Sequence, residues 1–422
     1  MSLQQHAARE RQQVEDTSSD IPGGTVEEQD YESDSSDESS ILEEKPKSRK
    51  PGDNAFRQQR LRAYNPVFTA RTVIPTLFII AIIFVPLGVA MWYGANRVQE
   101  VMIDYTQCEN LASRDYYSEI PKKYLKIHFN GVKTSDIARP QWKLDTNNTE
   151  QFEDERNVCR IQFEIPHDIK PPILFFYRLK KFYANHRRYV KSFSEDQLNG
   201  KAADYDTINN NIGQNCQPMS RNSQGQIYYP CGLIANSLFN DTYGSGLQAV
   251  NGSSTDFSLT NKGIAWSTEK NRFKKTKYNY TQVVPPPNWF KRYPNGYNET
   301  NMPDLSTWYE LQNWMKPAAL PDFVKLALKN KEDTLKKGKY EVAVGLHFPV
   351  IPYRGSKYLY LSTRSVIGGK NYFLGISWIV AGGLCLLLAS ALLIVNLVKP
   401  RKNGDPKYLS WNKVEDEHNT EK

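Results

Sequence analysis

Residues 72–96 read TVIPTLFIIAIIFVPLGVAMWYGAN, 25 positions without a charge between Arg71 and Arg97. A helix rises about 1.5 Å per residue, so the run is long enough to cross an apolar slab of roughly 30 Å. A water-soluble domain rarely makes a helix that is apolar all round. A near mirror image follows at 371–398, 28 uncharged positions between Lys370 and Lys399. Two spans near opposite ends put both tails on one side of a membrane. The 274 residues from 97 to 370 then lie on the other side, enough to bury a core of their own.

Charge fixes which side is which. Residues 27–44 hold nine acids and no base, and residues 45–71 hold eight bases and one acid, Asp53. The net charge of +8 is therefore a sum of opposed blocks. Its basic excess sits beside a membrane, so nucleic acid is a poor explanation for it. Arg57, Arg60, Arg62 and Arg71 precede the first span, and Lys399, Arg401, Lys402 and Lys407 follow the second. Only Arg97, Arg364 and Lys370 lie close to the inner flanks. The positive-inside bias predicts cytoplasmic termini and a lumenal or extracellular loop.

Residues 1–45 are rich in Ser, Asp, Glu and Gln and carry one aromatic, Tyr31. Such a tail cannot bury enough apolar surface to offset its ordering entropy, which predicts disorder. Its DYESDSSDESS stretch reads as a phosphorylation region or as plain solvated charge. Nothing apolar precedes residue 72, so the first span is expected to act as an uncleaved signal anchor. The basic segment 46–71 contains AFRQQRLRAY, a helical turn or two for anionic head groups or a partner's cytoplasmic surface. Residues 399–422 form the second cytoplasmic tail.

Within the first span, Pro75 falls in the first turn and Pro86 is expected to kink the helix. Pro86, Ala90 and Gly94 share one face, as do Ser377, Ala381, Cys385 and Ala389 in the second span. Small residues at this spacing let another helix approach closely. That helix is either the other span or one of a partner protein. Neither span holds an ionisable residue, which argues against a channel or transporter working alone.

Five N-x-[ST] sequons, at Asn147, Asn240, Asn251, Asn279 and Asn298, all fall between the spans. Of five cysteines, Cys108, Cys159, Cys216 and Cys231 lie there too, and Cys385 lies inside the second span as a small packing residue. Four cysteines in an oxidising compartment imply two disulfides with three possible connectivities. Closing the shortest loops favours Cys108–Cys159 and Cys216–Cys231. No Cys-x-x-Cys or clustered histidine points to a metal. His128, His167, His186 and His347 are scattered, and His6 and His418 are in the tails. His186 lies in the basic-aromatic KKFYANHRRYVKS, a surface for anionic groups or a plain solvated edge. No hydrolase, zincin, phosphate-loop or dinucleotide motif occurs, so the reading carries no catalytic residue, cofactor or metal.

The loop reads as mainly β. CRIQFEI (159–165), ILFFYRL (173–179), YEVAVGLHF (340–348) and KYLYLST (357–363) alternate or are rich in β-branched and aromatic residues. Residues 197–301 read as long, covalently tied loops. One helix is expected in DLSTWYELQNWMKPAALPDFVKLALK, capped by Asp304 or Ser306 and broken at Pro317. The predicted architecture is two transmembrane helices flanking a large antiparallel, sandwich-like domain with helical insertions.

Specific words in the sequence narrow this further: NAFRQQRLRAYNP before the first span, NHRRYVKS at 185–192, YPCGLIANSLFNDT at 229–242, TNKGIAW at 260–266, PPPNWFKRYPNGY at 285–297, and GGKNYFLG entering the second span. Together they resemble the cell cycle control protein 50 family, also called ligand-effect modulators, over nearly the whole chain except the acidic first 45 residues. The chain lacks the extra cysteine pair of animal members and is similar to fungal ones. The resemblance implies a non-catalytic β-subunit in a heterodimer with the catalytic subunit of a type IV P-type ATPase. That partner moves phospholipid to the cytoplasmic leaflet, and the β-subunit carries it out of the endoplasmic reticulum toward Golgi, endosome or plasma membrane. The family's disulfide pattern agrees with the shortest-loop pairing. The competing readings are a membrane-anchored lumenal hydrolase and a stand-alone glycoprotein receptor.

Overall fold

The computed structural model describes residues 54–61, 68–211, 213–250 and 255–400. The acidic tail 1–45, most of the basic segment 46–71, the tail beyond 400 and Asn251 lie outside the described residues. Residues 54–61 belong to a separate unit and form a turn, closed by Gln58 N–H on Asn54 O at 3.0 Å and Arg60 N–H on Ala55 O at 2.7 Å. No helix is assigned across them, and the rest of AFRQQRLRAY lies outside the described residues.

Two helices of 27 and 26 residues, Ala70–Asn96 and Phe373–Val398, are long and apolar enough to cross a membrane. The first begins two residues earlier than the uncharged run, so Pro75 falls in the second turn rather than the first. The helix runs on through Pro86 to Asn96. The pair packs antiparallel, with Gly88 against Gly375 and Ile379, and Val85 against Gly382.

The packing stripe differs from the expected one. Ile74, Ala81, Gly88 and Ala95 are buried on the first helix, and Gly375, Gly382 and Ala389 on the second. Both sets recur every seven residues, the repeat of left-handed helix pairing. Pro86 and Ala90 face outward. The reason is steric: a Cβ on Gly375 would stand 2.8 Å from Trp92 N and 3.0 Å from Gly88 O, contacts that only glycine permits. Phe84 and Trp378 fill the neighbouring space with ring centroids 4.3 Å apart.

Between the helices lie fourteen described strands in three sheets. They are β1 Glu100–Asp104, β2 Ser118–Glu119, β3 Leu125–His128, β4 Gln141–Thr146, β5 Asn157–Ile165, β6 Ile173–Lys180, β7 Ile227–Tyr228, β8 Thr242–Tyr243, β9 Gly246–Ala249, β10 Phe257–Ser258, β11 Val283–Val284, β12 Phe323–Asn330, β13 Gly338–Gly345 and β14 Ser356–Ser362. One antiparallel sheet has the order β12-β6-β14-β1-β3. The other runs β10-β9-β13-β5-β4-β2, with β8 also on β13. A short parallel pair joins β7 to β11.

Alternation explains the layering. Ile173, Phe175, Tyr177 and Leu179 of β6 point inward, as do Cys159, Ile161, Phe163 and Ile165 of β5. Tyr340, Val342 and Val344 of β13 join them in one core shared by both large sheets. The four stretches read as strands from sequence fall on β5, β6, β13 and β14, except that Leu346, His347 and Phe348 lie beyond β13 and Thr363 beyond β14. The expected helix forms and ends before Pro317, but it is short and neither Asp304 nor Ser306 caps it. Only Tyr309–Trp314 is helical, and Phe323–Asn330 is β12, paired with β6 through a bulge between Leu326 and Leu328. Lys, Leu and Ala favour a helix locally, but β6 offers a ladder and an apolar face, and tertiary pairing overrides propensity. Asp304 caps a turn instead, accepting from Ser306 N–H at 2.9 Å.

The helix seam makes a paired prediction. Gly375→Leu must push the helix backbones apart and should cost about 1–3 kcal/mol, whereas the outward Gly383, with nothing within 4 Å of its Cβ position, should accept leucine without loss. Thermal unfolding of the two variants in detergent checks this: equal midpoints would refute the seam.

Candidate functional site

The word YPCGLIANSLFNDT is the hub of the extramembrane domain. Its backbone carbonyls receive polar tips from surrounding aromatics. Trp289 Nε1 donates to Ala235 O at 2.9 Å, Trp314 Nε1 to Ile234 O at 2.9 Å, and Tyr297 O–H to Tyr229 O at 2.6 Å. Buried tryptophan and tyrosine need partners for their polar tips, and this segment, short of backbone ladder, supplies acceptors. Asn288 N–H adds a bond to Asn236 Oδ1 at 2.9 Å. The 185–192 stretch contributes Ser192, whose hydroxyl donates to Gln217 O and accepts from Leu233 N–H, both at 2.9 Å. Gly232, at φ +99°, lies so close that a Cβ would meet Ser192 O at 2.1 Å. The resemblance-bearing words at 185–192, 229–242 and 285–297 are thus one packed unit.

The far end of the hub carries a buried ion pair. Lys357 is 5% exposed and Asp241 8%. Lys357 Nζ lies 2.8 Å from Asp241 Oδ2 and also donates to Phe348 O at 2.8 Å. Asp241 accepts in addition from Tyr105 O–H at 2.8 Å, His347 N–H at 2.7 Å and Phe348 N–H at 2.6 Å. The Lys357 ammonium stands 5.4 Å from the Tyr105 ring centroid. Burial, and then the Asp241 carboxylate and Tyr243, hold the Tyr105 hydroxyl well above its ordinary range, so it stays a proton donor. The centre staples β14, the chain after β1 and the chain after β13 to the hub. Every group is internally satisfied, so it is a clamp with no open chemistry.

A second polar group collars the membrane exit. Tyr372 O–H donates to Asn96 Oδ1 at 3.0 Å, and His128 Nε2 lies 3.0 Å from Asn96 O. Gln99 N–H reaches Thr363 Oγ1 at 2.9 Å. Glu100, 2% exposed, meets Lys126 at 3.0 Å, Lys370 at 3.7 Å and Tyr360 O–H at 3.2 Å. Burial lowers the Lys370 pKa from its usual value, opposed by the attraction of Glu100. These contacts weld both helix ends to β1 and β3.

Cys108 is bonded to Cys159, joining the turn after β1 to β5, and Cys216 to Cys231, which anchors the hub. Cys385 is a free thiol within the second long helix. Of the sequon asparagines, Asn240, Asn279 and Asn298 are exposed and Asn147 is half-buried. An open cleft of about 350 Å³ is lined by Asp145, Glu150, Arg160, Thr242, Tyr243 and His347 among others. Thr242 Oγ1 and His347 Nε2 are 3.3 Å apart there. Nucleophile–base pairing needs a third group to orient the base, and His347 Nδ1 has no hydrogen-bond partner among the described residues. No described cluster of three or more His, Cys, Asp or Glu is placed to hold a metal ion. His128 and His347 thus have defined contacts, one in the collar and one in the cleft, that sequence reading missed. The ion pair was also missed, although the alternation of KYLYLST puts Lys357 on the face of Leu359 and Leu361.

Fold and contacts define a class: a two-helix membrane protein whose β domain is built around internal clamps rather than an open reaction centre. Residues 91–402 match the LEM3 (ligand-effect modulator 3) family / CDC50 family. The chain is 46% identical over 386 residues to the phospholipid-transporting ATPase accessory subunit LEM3 of Saccharomyces cerevisiae, covering 92% of this chain and 93% of that one. It is 41% identical to the accessory subunit CDC50 of Chaetomium thermophilum, over 90% of this chain and 95% of that one. Cell cycle control protein 50A of Bos taurus is 36% identical, over 83% and 90% respectively. The chain belongs to the LEM3/CDC50 family and is an integral membrane protein.

The clamp is testable. Lys357→Met leaves a buried carboxylate unpaired and should destabilise by about 3–5 kcal/mol. Asp241→Asn keeps the sequon and should cost a similar amount, but the double variant should lose clearly less than the sum. Denaturant midpoints of the purified proteins check this. Strict additivity would mean that the two side chains act independently.

Proposed function

We propose that this protein is the non-catalytic accessory (β) subunit of a phospholipid-transporting P-type ATPase. It forms a heterodimer with the catalytic chain and supports that chain's exit from the endoplasmic reticulum, stability and transport. The observation that carries the reading is relatedness to subunits of that name over nine-tenths of the chain. The internally satisfied Asp241–Lys357 centre supports it, since that clamp offers no open chemistry. The lack of an orienting group behind His347 weighs against a lumenal hydrolase. No observation favours a stand-alone receptor.

In this reading both termini are cytoplasmic and the β domain is lumenal or extracellular. Basic residues outside the spans, five sequons between them and two disulfides in the same stretch support that orientation together. N-linked glycan is proposed at Asn147, Asn240, Asn251, Asn279 and Asn298. The protein travels with its partner from the endoplasmic reticulum toward Golgi, endosome or plasma membrane.

Native pull-down should recover a much larger P-type ATPase, and the isolated subunit should hydrolyse no ATP. Absence of any such ATPase from the pull-down would end the reading. Cys216→Ser or Cys231→Ser removes a closure of 15 residues worth roughly 3 kcal/mol in the chain-entropy model, and should retain the protein in the endoplasmic reticulum. Normal glycan maturation of both variants would count against a structural role for that bond.

A further inference from the structure

Between β14 and the second long helix the chain makes a tight hairpin. Ser365 N–H donates to Gly368 O at 2.8 Å, and Gly368 N–H returns to Ser365 O at 3.1 Å. Gly368, at φ +110°, allows the reversal. The two tip residues are Val366 and Ile367. Turn tips in water carry Gly, Asn, Asp or Ser, which satisfy their own backbone and tolerate the geometry. Two β-branched apolar residues contradict that rule, and local contradictions of this kind mark function. Val366 is fully exposed and Ile367 is 47% exposed.

The depth of the tip identifies what solvates it. About 20 helical residues cross the hydrocarbon core. Counted from Arg71, that core ends near Met91. Trp92 and Tyr93, both exposed, then stand at the boundary where aromatic rings collect. Gly94 belongs to this level, and Ile367 Cδ1 lies 3.8 Å from its Cβ position. Phe373, 75% exposed, begins the second helix beside it. Arg364, exposed before the tip, has no carboxylate partner among the described residues. Lys370 follows the tip, turned inward toward Glu100.

Given the transmembrane reading of the two helices, we infer that the Ser365–Gly368 hairpin is a lipid-inserted wedge. Val366 and Ile367 enter the acyl boundary of the leaflet on the β-domain side, and Arg364 faces its phosphates. The β domain therefore touches lipid directly, at a third point beside its two helices.

The test uses the full chain reconstituted alone in phosphatidylcholine–phosphatidylserine vesicles. Val366→Cys, on a Cys385→Ala background, is labelled with an environment-sensitive fluorophore. Ser223→Cys, on the exposed turn before β7, serves as the aqueous reference. The tip label should emit to the blue of the reference and be quenched by nitroxide-bearing phospholipid roughly twofold or more beyond it, as expected of a side chain at the acyl boundary. Emission and quenching equal to the reference would put the tip in water and overturn the wedge. A blue shift without lipid quenching would mean that protein covers the tip, and would overturn it too. Because no ATPase is present, neither result bears on the accessory-subunit reading.

Discussion

The pairing of β1 with β14 is the constraint on which the rest of the molecule depends. β1 follows the first membrane helix after three residues, and β14 leads into the second through ten residues that include the Ser365–Gly368 hairpin. The register Glu100 opposite Ser362 continues as Gln99 on Thr363, then Asn96 on Tyr372, then Trp92 and Gly88 against Gly375. One antiparallel zipper therefore runs from the sheet through a polar collar into the helix pair. In water the sheet alone would fix the strands, and in lipid the glycine seam alone would fix the helices. Joined end to end, each sets the register of the other. The collar lies at the change of solvent, where backbone groups leaving one regular structure need side-chain partners before they enter the next.

The second constraint is the hub. A long segment with little sheet pairing of its own is held by indole and phenol donors, a disulfide and one buried carboxylate. Asp241 accepts from four donors at once, and its Lys357 partner reaches it from the opposite sheet. A buried pair of this kind is weak evidence for stability, because well-packed apolar residues often do as well. Its value is geometric: it fixes where 229–242 sits relative to β14, and therefore relative to the membrane helices. A subunit that works by presenting surfaces needs that fixity more than it needs a reaction centre.

Much of this was legible in the residues. Two uncharged runs announced the spans, and period-two alternation announced β5, β6, β13 and β14. What escaped had physical causes. FVKLALK is made of helix formers, and only the presence of β6 across the sheet makes it a strand. Lys325 lies within it. It donates to Asn313 O at 2.6 Å, near the C-terminus of the short helix Tyr309–Trp314, and burial lowers its pKa to about 8. Small residues every four positions suggested a seam, yet the pair packs on a seven-residue repeat, because crossing angle and not spacing alone selects the face. Asp241 was hidden as the middle letter of a sequon, a position whose chemistry the motif leaves free.

The residues that break local rules fall into two groups, and the difference between them is instructive. Lys357 and Asp241 put charge where apolar side chains belong, and each is answered by a partner inside the fold. Val366 and Ile367 put apolar side chains where a turn should meet water, and inside the fold only the contact of Ile367 beside Gly94 answers them. An inward violation is a demand on the protein's own packing, while an outward one is a demand on its surroundings. For a chain anchored at both ends in a bilayer, the nearest surroundings at the depth of Gly94 are lipid. The same reasoning applies to Pro86 and Ala90, which turn a small-residue face away from the partner helix and toward the membrane.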